Sequence, residues 1–293
     1  MTLTIGLVGA GQRATQAHAP TLASCPEVRF AGIWARTPHA VEALAGRHGV
    51  PAFDRFTELL DHCDAVAFAV PPPVQAELAA VAAQRGKALF LERPMAGDIA
   101  GAEELAEAVQ ARKVISQLGL AWRYAEDVRR FLATDVKRIK PLGGAGRLVS
   151  GGHLPGRGAS AWRVERGVLR DQGLDLLDLL EATLGPIVGV QAHGDRQGWI
   201  GLMLDHLVGK FSEASMSAAS APETFRADVE IFGPGGSAIV DCTGASGPDA
   251  YQTMYREFAD AVQRHTAPSL DVAHGLHLQR VIEAADTDVL LGA

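Results

Sequence analysis

The sequence lacks any run of about twenty consecutive apolar residues, the length that crosses a lipid bilayer. Its start also lacks the basic segment, apolar core and small-residue cleavage site of a secretory leader. Cysteine is scarce: Cys25, Cys63 and Cys242 are far apart, odd in number and without the spacing of metal ligands. We therefore expect a cytoplasmic protein with reduced thiols, no metal site and no membrane partner.

Positive charge is also in short supply. The chain has 27 Lys and Arg against 34 Asp and Glu, a formal net charge of −7. A nucleic-acid-binding surface normally requires a basic excess, so this balance argues against nucleic acid as a partner. With 293 residues, 47% of them hydrophobic, the chain is long enough for two domains that each bury a core.

Two patterns follow one another along the chain. Residues 1–120 alternate short apolar runs with helical patterns, which predicts βαβ units and a parallel sheet. After a predicted connecting helix over 123–135, strand-like segments dominate, interrupted by an amphipathic helix over 171–184 and a Gly-Pro-Gly-Gly turn at 233–236. We predict an α/β protein with an N-terminal Rossmann domain and, over 121–293, an α+β domain with an open, mostly antiparallel sheet. A last pair of helices is predicted over 251–265 and 272–291, and these C-terminal helices are able to pack back on the first domain.

A glycine-rich loop follows the first predicted strand and has the Gly-x-Gly-x-x-Ala form of the dinucleotide fingerprint. Gly9 permits the tight turn, Gly11 lets the backbone approach a pyrophosphate, and Ala14 allows close packing of helix on strand. Gln12 and Arg13 begin the helix, whose first N–H groups and positive dipole end attract phosphates. These residues are predicted to bind a dinucleotide.

The end of the second predicted strand distinguishes NAD from NADP. An Asp or Glu there would bind the free 2′-hydroxyl of NAD, but the sequence reads Trp-Ala-Arg-Thr with no carboxylate. Arg36 can hold a 2′-phosphate through two hydrogen bonds, and Thr37 can add a hydroxyl donor. We therefore predict NADP rather than NAD; the alternative is that Arg36 is simply a solvated loop residue.

A short motif after the fourth predicted strand, Glu92-Arg93-Pro94, resembles the Glu-Lys-Pro signature of one oxidoreductase family. This is the Gfo/Idh/MocA family, named for glucose-fructose oxidoreductase, inositol dehydrogenase and rhizopine catabolism. The segment after the third strand is similar to the family's Ala-Thr-Pro-x-x-x-His, whose backbone lies along the cofactor. The resemblance implies that the cofactor wall consists of Val70, Pro71, Pro72, Gln75, Glu92 and Arg93.

The resemblance continues in residues 167–178, which are similar to the family's Gly-Gly-Gly-x-x-x-Asp-x-Gly-x-His-x-x-Asp. Asp171 and Asp178 match, whereas Asp175 stands in place of the histidine. Spacings of four and three residues place the three aspartates on one helical face. They could bind a polyol or provide a general base, or they could form a solvated acidic stripe.

The resemblance also implies roles around the reacting carbon. The family's lysine lies near the nicotinamide, so Arg93 is assigned there as a contact to an oxyanion or carboxylate, because a guanidinium keeps its proton. Asp175 is then the candidate acid/base group, with Tyr124 as a second proton donor. The implied substrate or supporting contacts are Arg123, Trp162, Arg163, Asp171 and Asp175.

The implied reaction is reversible hydride transfer between NADP and a hydroxyl or carbonyl carbon of a sugar, cyclitol or similar small polar molecule. Two alternatives stay open. Biliverdin reductases resemble this family, are similarly short and lack the lysine, which favours a bilin or imine reductase. Loss of both lysine and histidine also fits a catalytically silent NADP-binding sensor or partner protein. The resemblance further implies a homodimer or homotetramer formed through the C-terminal sheet.

Overall fold

The computed structural model describes residues 2–157 and 159–291, which form two compact units. The first unit extends to Leu120 and also contains Gly247–His277. The second unit comprises Ala121–Ser246 and the chain from Leu278 onward. The region assigned to the second domain from the sequence, 121–293, therefore differs from the second unit by the segment that joins the first.

The first unit contains a five-stranded sheet in which every pair of neighbours is parallel, as predicted. Its strands are β1 Leu3–Val8, β2 Val28–Trp34, β3 Ala65–Phe68, β4 Ala88–Leu91 and β5 Ser116–Leu118, in the order β2-β1-β3-β4-β5. The strand order reverses between β1 and β3. In open α/β sheets a ligand crevice lies beyond the carboxyl ends of the strands at such a reversal.

Helices connect the strands of this unit. They are α1 Ala19–Ser24, preceded by a π-helical turn over Ala14–His18, then α2 Pro38–His48, α3 Phe56–Asp61, α4 Pro72–Gln84, α5 Ile99–Arg112 and the later helix α9 Pro248–Arg264. Asp98 caps α5 as its sequence position predicts, since its Oδ1 accepts a hydrogen bond from the Gly101 N–H at 2.8 Å. The six helices and the sheet enclose one apolar core.

The second unit contains a six-stranded sheet with the order β11-β10-β6-β9-β8-β7. Its strands are β6 Gly143–Val149, β7 Ile187–Gly194, β8 Ile200–His206, β9 Lys210–Ser217, β10 Arg226–Gly233 and β11 Gly236–Asp241. Every pair of neighbours is antiparallel except β6 and β9. The predicted open, mostly antiparallel sheet is therefore confirmed.

The long helix α8, Ala161–Leu184, packs its buried leucines against β6 and β9. It begins ten residues earlier than the 171–184 helix predicted from the sequence. Gly167 interrupts its geometry with φ +73, and a Cβ there would lie 2.5 Å from the carbonyl oxygen of Arg196. Because only glycine accepts that position, Gly167 marks a kink between the first helical turns and the longer segment that follows.

The connecting helix predicted over 123–135 is wrong in detail. The structure has a 3₁₀ turn at Ala121–Tyr124, helix α6 at Glu126–Arg130, a π-helical turn at Phe131–Asp135 and helix α7 at Val136–Ile139. The last helix, α10, spans Val272–Leu291 as predicted. In the described part of the chain, no helix is both long and apolar enough to cross a membrane.

Candidate functional site

The fingerprint loop leaves β1 in the conformation that its glycines predict. Gly9 has φ +126, and a Cβ on it would lie 2.4 Å from the carbonyl oxygen of Ala69, so no other residue fits between β1 and β3. A Cβ on Gly11 would meet none of the described protein atoms within 4 Å. Protein packing thus leaves open space at Gly11, which is where the backbone of a fingerprint loop approaches a pyrophosphate. Ala14 is buried against the sheet.

The end of β2 lies beside this loop, because the Gly9 N–H donates to the Trp34 carbonyl oxygen at 2.8 Å. Arg36 and Thr37 follow within three residues and are both exposed at the start of α2. The Trp34 ring packs against Phe56, with 5.3 Å between ring centroids. A cation and a hydroxyl are therefore presented to solvent next to the fingerprint loop.

The segment after β3 places two predicted cofactor residues, Pro72 and Gln75, away from solvent. Val70 is half-buried, Pro71 is exposed and Pro72 begins α4, but Gln75 on that helix is fully buried. Its amide nitrogen donates to the carbonyl oxygen of Glu92 at 2.7 Å, and its amide oxygen accepts from the Glu92 N–H at 2.9 Å. We therefore propose that Gln75 holds the loop after β4 in place and does not itself contact the cofactor.

Five side chains converge below that loop in a hydrogen-bonded set that we call the Glu92 network. The Tyr251 hydroxyl donates to Glu92 Oε1 at 2.8 Å, and His18 Nε2 lies 2.9 Å from the same oxygen. His18 Nδ1 is 2.6 Å from the Tyr255 hydroxyl, and Arg13 Nη1 donates to the Tyr251 hydroxyl at 3.2 Å. The network joins the fingerprint helix, the loop after β4 and helix α9.

Neighbouring charges determine the protonation states of Glu92 and Tyr251 in this network. Burial alone would raise the pKa of Glu92, but the nearby charge of Arg13, the hydrogen bond and charge of His18 and the charge of Arg93 outweigh it and lower the pKa to about 2. Burial, and then the Glu92 charge, raises the pKa of Tyr251 far above its ordinary value. Near neutral pH, Glu92 is thus an anion and Tyr251 a neutral donor.

In the second unit, the three aspartates of α8 are all buried, which excludes a solvated acidic stripe. Two of them are bound to cations. Asp171 accepts a hydrogen bond from Arg163 Nε at 2.7 Å and lies 3.0 Å from His153 Nε2, while Asp178 accepts from Arg123 Nη1 at 2.9 Å. The predicted contacts Arg123, Arg163 and Asp171 are therefore ordered by ion pairs within this unit.

Asp175 lies between these two pairs along the helix and is 1% exposed. Burial, and after it the charge of Asp175, raises the pKa of the Cys242 thiol. Tyr124 is buried, with the Arg129 guanidinium 5.9 Å from its ring centre. Trp162, at the start of α8, is half-buried.

Sequence reasoning missed four residues of these sets: His18, His153, Tyr251 and Tyr255. Each left a faint signal. His18 is the only ionisable residue between Ala14 and Leu22 on the fingerprint helix, and His153 follows two glycines at the end of β6. The two tyrosines are four residues apart and so share one face of α9.

Comparison with known proteins finds similarity to an oxidoreductase family in the N-terminal part of the chain. Residues 3–120 match the Gfo/Idh/MocA model, described as an oxidoreductase family with an NAD-binding Rossmann fold. Dehydrogenase aclE of Aspergillus oryzae is 33% identical over 119 residues, which cover 39% of this chain and 31% of that protein. Inositol 2-dehydrogenase of Rhizobium meliloti is 35% identical over 97 residues, which cover 32% of this chain and 29% of that protein. The matched part of the chain thus spans about 30% of the length of these relatives.

The similarity of fold extends over both units. The crystal structure of GenD2 from gentamicin A biosynthesis, in complex with NAD, has a TM-score of 0.87 at 21% identity. The superposition covers 99% of this chain and 95% of that chain. Identity at this level shows the fold alone. Residues 3–120, less than half of the chain, are similar to the Gfo/Idh/MocA family of oxidoreductases.

Proposed function

We propose that the protein is an NADP-dependent oxidoreductase that transfers a hydride to or from a hydroxyl or carbonyl carbon of a sugar, cyclitol or similar small polar molecule. The observation that carries this proposal is the fingerprint loop at the strand reversal, with open space at Gly11 and Arg36 exposed beside it. The inositol 2-dehydrogenase relative favours a polyol as the substrate class.

When bound, the nicotinamide supplies or accepts the hydride, and every other requirement falls on side chains of this protein. The fingerprint helix, Arg36 and Thr37 would hold the phosphates. Arg93 follows the buried Glu92 anion and is half-buried, so its guanidinium offers a fixed positive charge to a developing oxyanion. Because arginine keeps its proton, Arg93 stabilises charge but does not transfer a proton.

Proton transfer is therefore assigned to the second unit. Asp175 and Tyr124 remain the candidates that the family motif provides. The pair of His153 and Asp171 is a third candidate, because a carboxylate oxygen 3.0 Å from His153 Nε2 orients the imidazole ring. Comparing Asp175→Asn with His153→Asn for loss of turnover separates these candidates.

Fluorescence titration of NADPH and NADH tests the cofactor assignment. We expect tighter NADPH binding by the wild type, and Arg36→Ala to weaken NADPH binding about tenfold, the loss of a hydrogen bond to a charged group, with little effect on NADH. Arg29→Ala is the matched control, because Arg29 is exposed near the opposite end of β2. Tighter binding of NADH by the wild type would refute the NADP assignment.

A turnover screen tests the reaction. Cyclitols and sugars are the expected substrates, whereas turnover of imines or linear tetrapyrroles alone would favour the imine- or bilin-reductase alternative. The second candidate function, a catalytically silent NADP-binding protein, is favoured by Arg93 and Asp175 standing where the family has lysine and histidine. Activity that appears only in the double variant Arg93→Lys, Asp175→His would support the silent function.

Large apolar side chains on the second sheet favour a homodimer or homotetramer through this sheet. Met203, Phe211, Phe232 and Ile239 alternate along their strands with buried residues and are each at least 40% exposed. A second copy of the chain would cover them. Light scattering coupled to size exclusion is expected to show the oligomer, and the double variant Phe211→Lys, Phe232→Lys a monomer; a monomeric wild type would refute this assembly.

A further inference from the structure

We propose that Tyr251 is a positioning residue of the cofactor site, whose hydroxyl fixes the Arg13 guanidinium at the first turn of the fingerprint helix. This inference rests on the proposed dinucleotide binding and adds a residue from far along the chain. Tyr251 belongs to α9, and 238 residues separate it from Arg13.

The hydroxyl group of Tyr251 is fully used as a bridge. It accepts a hydrogen bond from Arg13 Nη1 at 3.2 Å and donates one to Glu92 Oε1 at 2.8 Å. Tyr251 is 2% exposed, so water does not replace either partner easily. The bridge connects a half-buried cation to a fully ionised, buried carboxylate.

Arg13 lies where a positively charged side chain in a fixed position would favour dinucleotide binding. It is the second helical residue after the fingerprint glycines, at the positive end of the helix where phosphates bind. A free arginine side chain loses several rotamers when it closes on a phosphate. The Arg13 guanidinium is already held by Tyr251 in the folded protein, so its side chain has lost this conformational entropy before the ligand binds. Binding of the dinucleotide then requires a smaller loss of entropy.

Tyr251 also contributes through the packing of its ring, and a conservative variant can separate this packing from the hydrogen bonds of its hydroxyl. Its ring contacts the His18 ring edge to face, with 5.3 Å between centroids. Tyr251→Phe keeps the ring and removes only the bridging hydroxyl. Tyr255→Phe is the matched control: Tyr255 lies one turn further along α9, and its hydroxyl contacts His18, not Arg13.

The test is titration of NADPH by nicotinamide fluorescence with the wild type, Tyr251→Phe, Tyr255→Phe, Arg13→Gln and the double variant of Tyr251 and Arg13. We expect Tyr251→Phe and Arg13→Gln each to weaken binding about tenfold, the loss of one hydrogen bond to a charged group. The double variant should bind no more weakly than Arg13→Gln, because the two changes remove one interaction. Tyr255→Phe should lower the melting temperature but weaken binding by less than Tyr251→Phe does, because the Tyr255 hydroxyl contacts His18 and reaches Arg13 only indirectly.

The outcomes separate this inference from the proposed function. A wild type that binds neither NADPH nor NADH overturns both. If the wild type binds NADPH or NADH, titration of the same variants with the nucleotide that binds tests the role of Tyr251. Unchanged affinity in Tyr251→Phe, or additive losses in the double variant, overturns the inference alone. Should Tyr251→Phe fail to fold, Arg13→Gln still decides, since Arg13 is half-buried at a helix start and wild-type affinity in that variant contradicts the proposal.

Discussion

Replacing Glu92 by Gln removes one negative charge from the centre of the Glu92 network and keeps its shape. The amide oxygen of Gln can still accept from the Tyr251 hydroxyl and lie beside His18 Nε2. What disappears is the attraction between the ionised carboxylate and the charges of Arg13 and Arg93 that holds the pKa of Glu92 at about 2. The variant thus isolates the charge from the packing.

The pKa of Glu92 sets the size of the effect. It falls from the ordinary 4.5 to about 2, and a tenfold change in proton affinity is worth about 1.4 kcal/mol. Ionised Glu92 therefore stabilises the folded state by about 3 kcal/mol at neutral pH. Because its pKa is lower when folded, this stabilisation is fully present above pH 4.5 and is lost as the pH falls towards 2.

Urea unfolding followed by tryptophan fluorescence at several pH values measures this difference. We expect Glu92→Gln to unfold about 3 kcal/mol more easily than the wild type at about pH 7, and the gap to narrow steadily towards pH 3. Glu104→Gln, an exposed change on α5 with the same loss of charge, should stay within about 0.5 kcal/mol of the wild type. A gap for Glu92→Gln that is equal at every pH would refute the electrostatic origin.

Three further predictions concern other parts of the fold. Gly9→Ala forces a Cβ to 2.4 Å from the Ala69 carbonyl oxygen at φ +126, so calorimetry should show a loss of about 2 kcal/mol or more. Asp286→Asn weakens the pairs with Arg170 at 2.7 Å and Arg196 at 2.7 Å and should cost about 2 kcal/mol in urea unfolding; no change would show that these pairs contribute nothing. Burial raises the pKa of all three thiols, so Ellman's reagent should label them only after unfolding, and rapid labelling of native protein would contradict their burial.

Local patterns were sufficient for most of the fold. Helix α10 has the predicted bounds, because a long helical periodicity needs no distant partner to be recognised. The segment after Leu120 was not predictable in this way. Ala125 adopts extended geometry, φ −69 and ψ 138, between the 3₁₀ turn and α6, and its alanine side chain gives no sign of a break.

The residues of the candidate site also fall into two groups, those that local sequence patterns predict and those that only the folded structure brings together. The fingerprint is contiguous in sequence, so Gly9 and its neighbours were predictable one residue at a time. The Glu92 network was not, since 74 residues separate His18 from Glu92 and 159 separate Tyr251 from Glu92. Contacts between residues so far apart follow from the folded topology and leave only weak local signals, such as one buried histidine in an apolar helix.

The network also changes how the arginine at position 93 is interpreted. From the sequence alone, arginine at position 93 differs from the lysine of the family motif in two ways: its pKa cannot be lowered into the neutral range, and it cannot donate its proton. Glu92 is ionised across the neutral range and the charge at position 93 acts on it, so Glu92 would favour the protonated form of a lysine at position 93 as well. A lysine there would thus behave largely as a fixed cation, which is the role an arginine performs. By the resemblance, the greater change lies in the second unit: we propose that Asp175 stands in place of the histidine of the family motif, and His153 brings an imidazole to Asp171 from another segment of the chain.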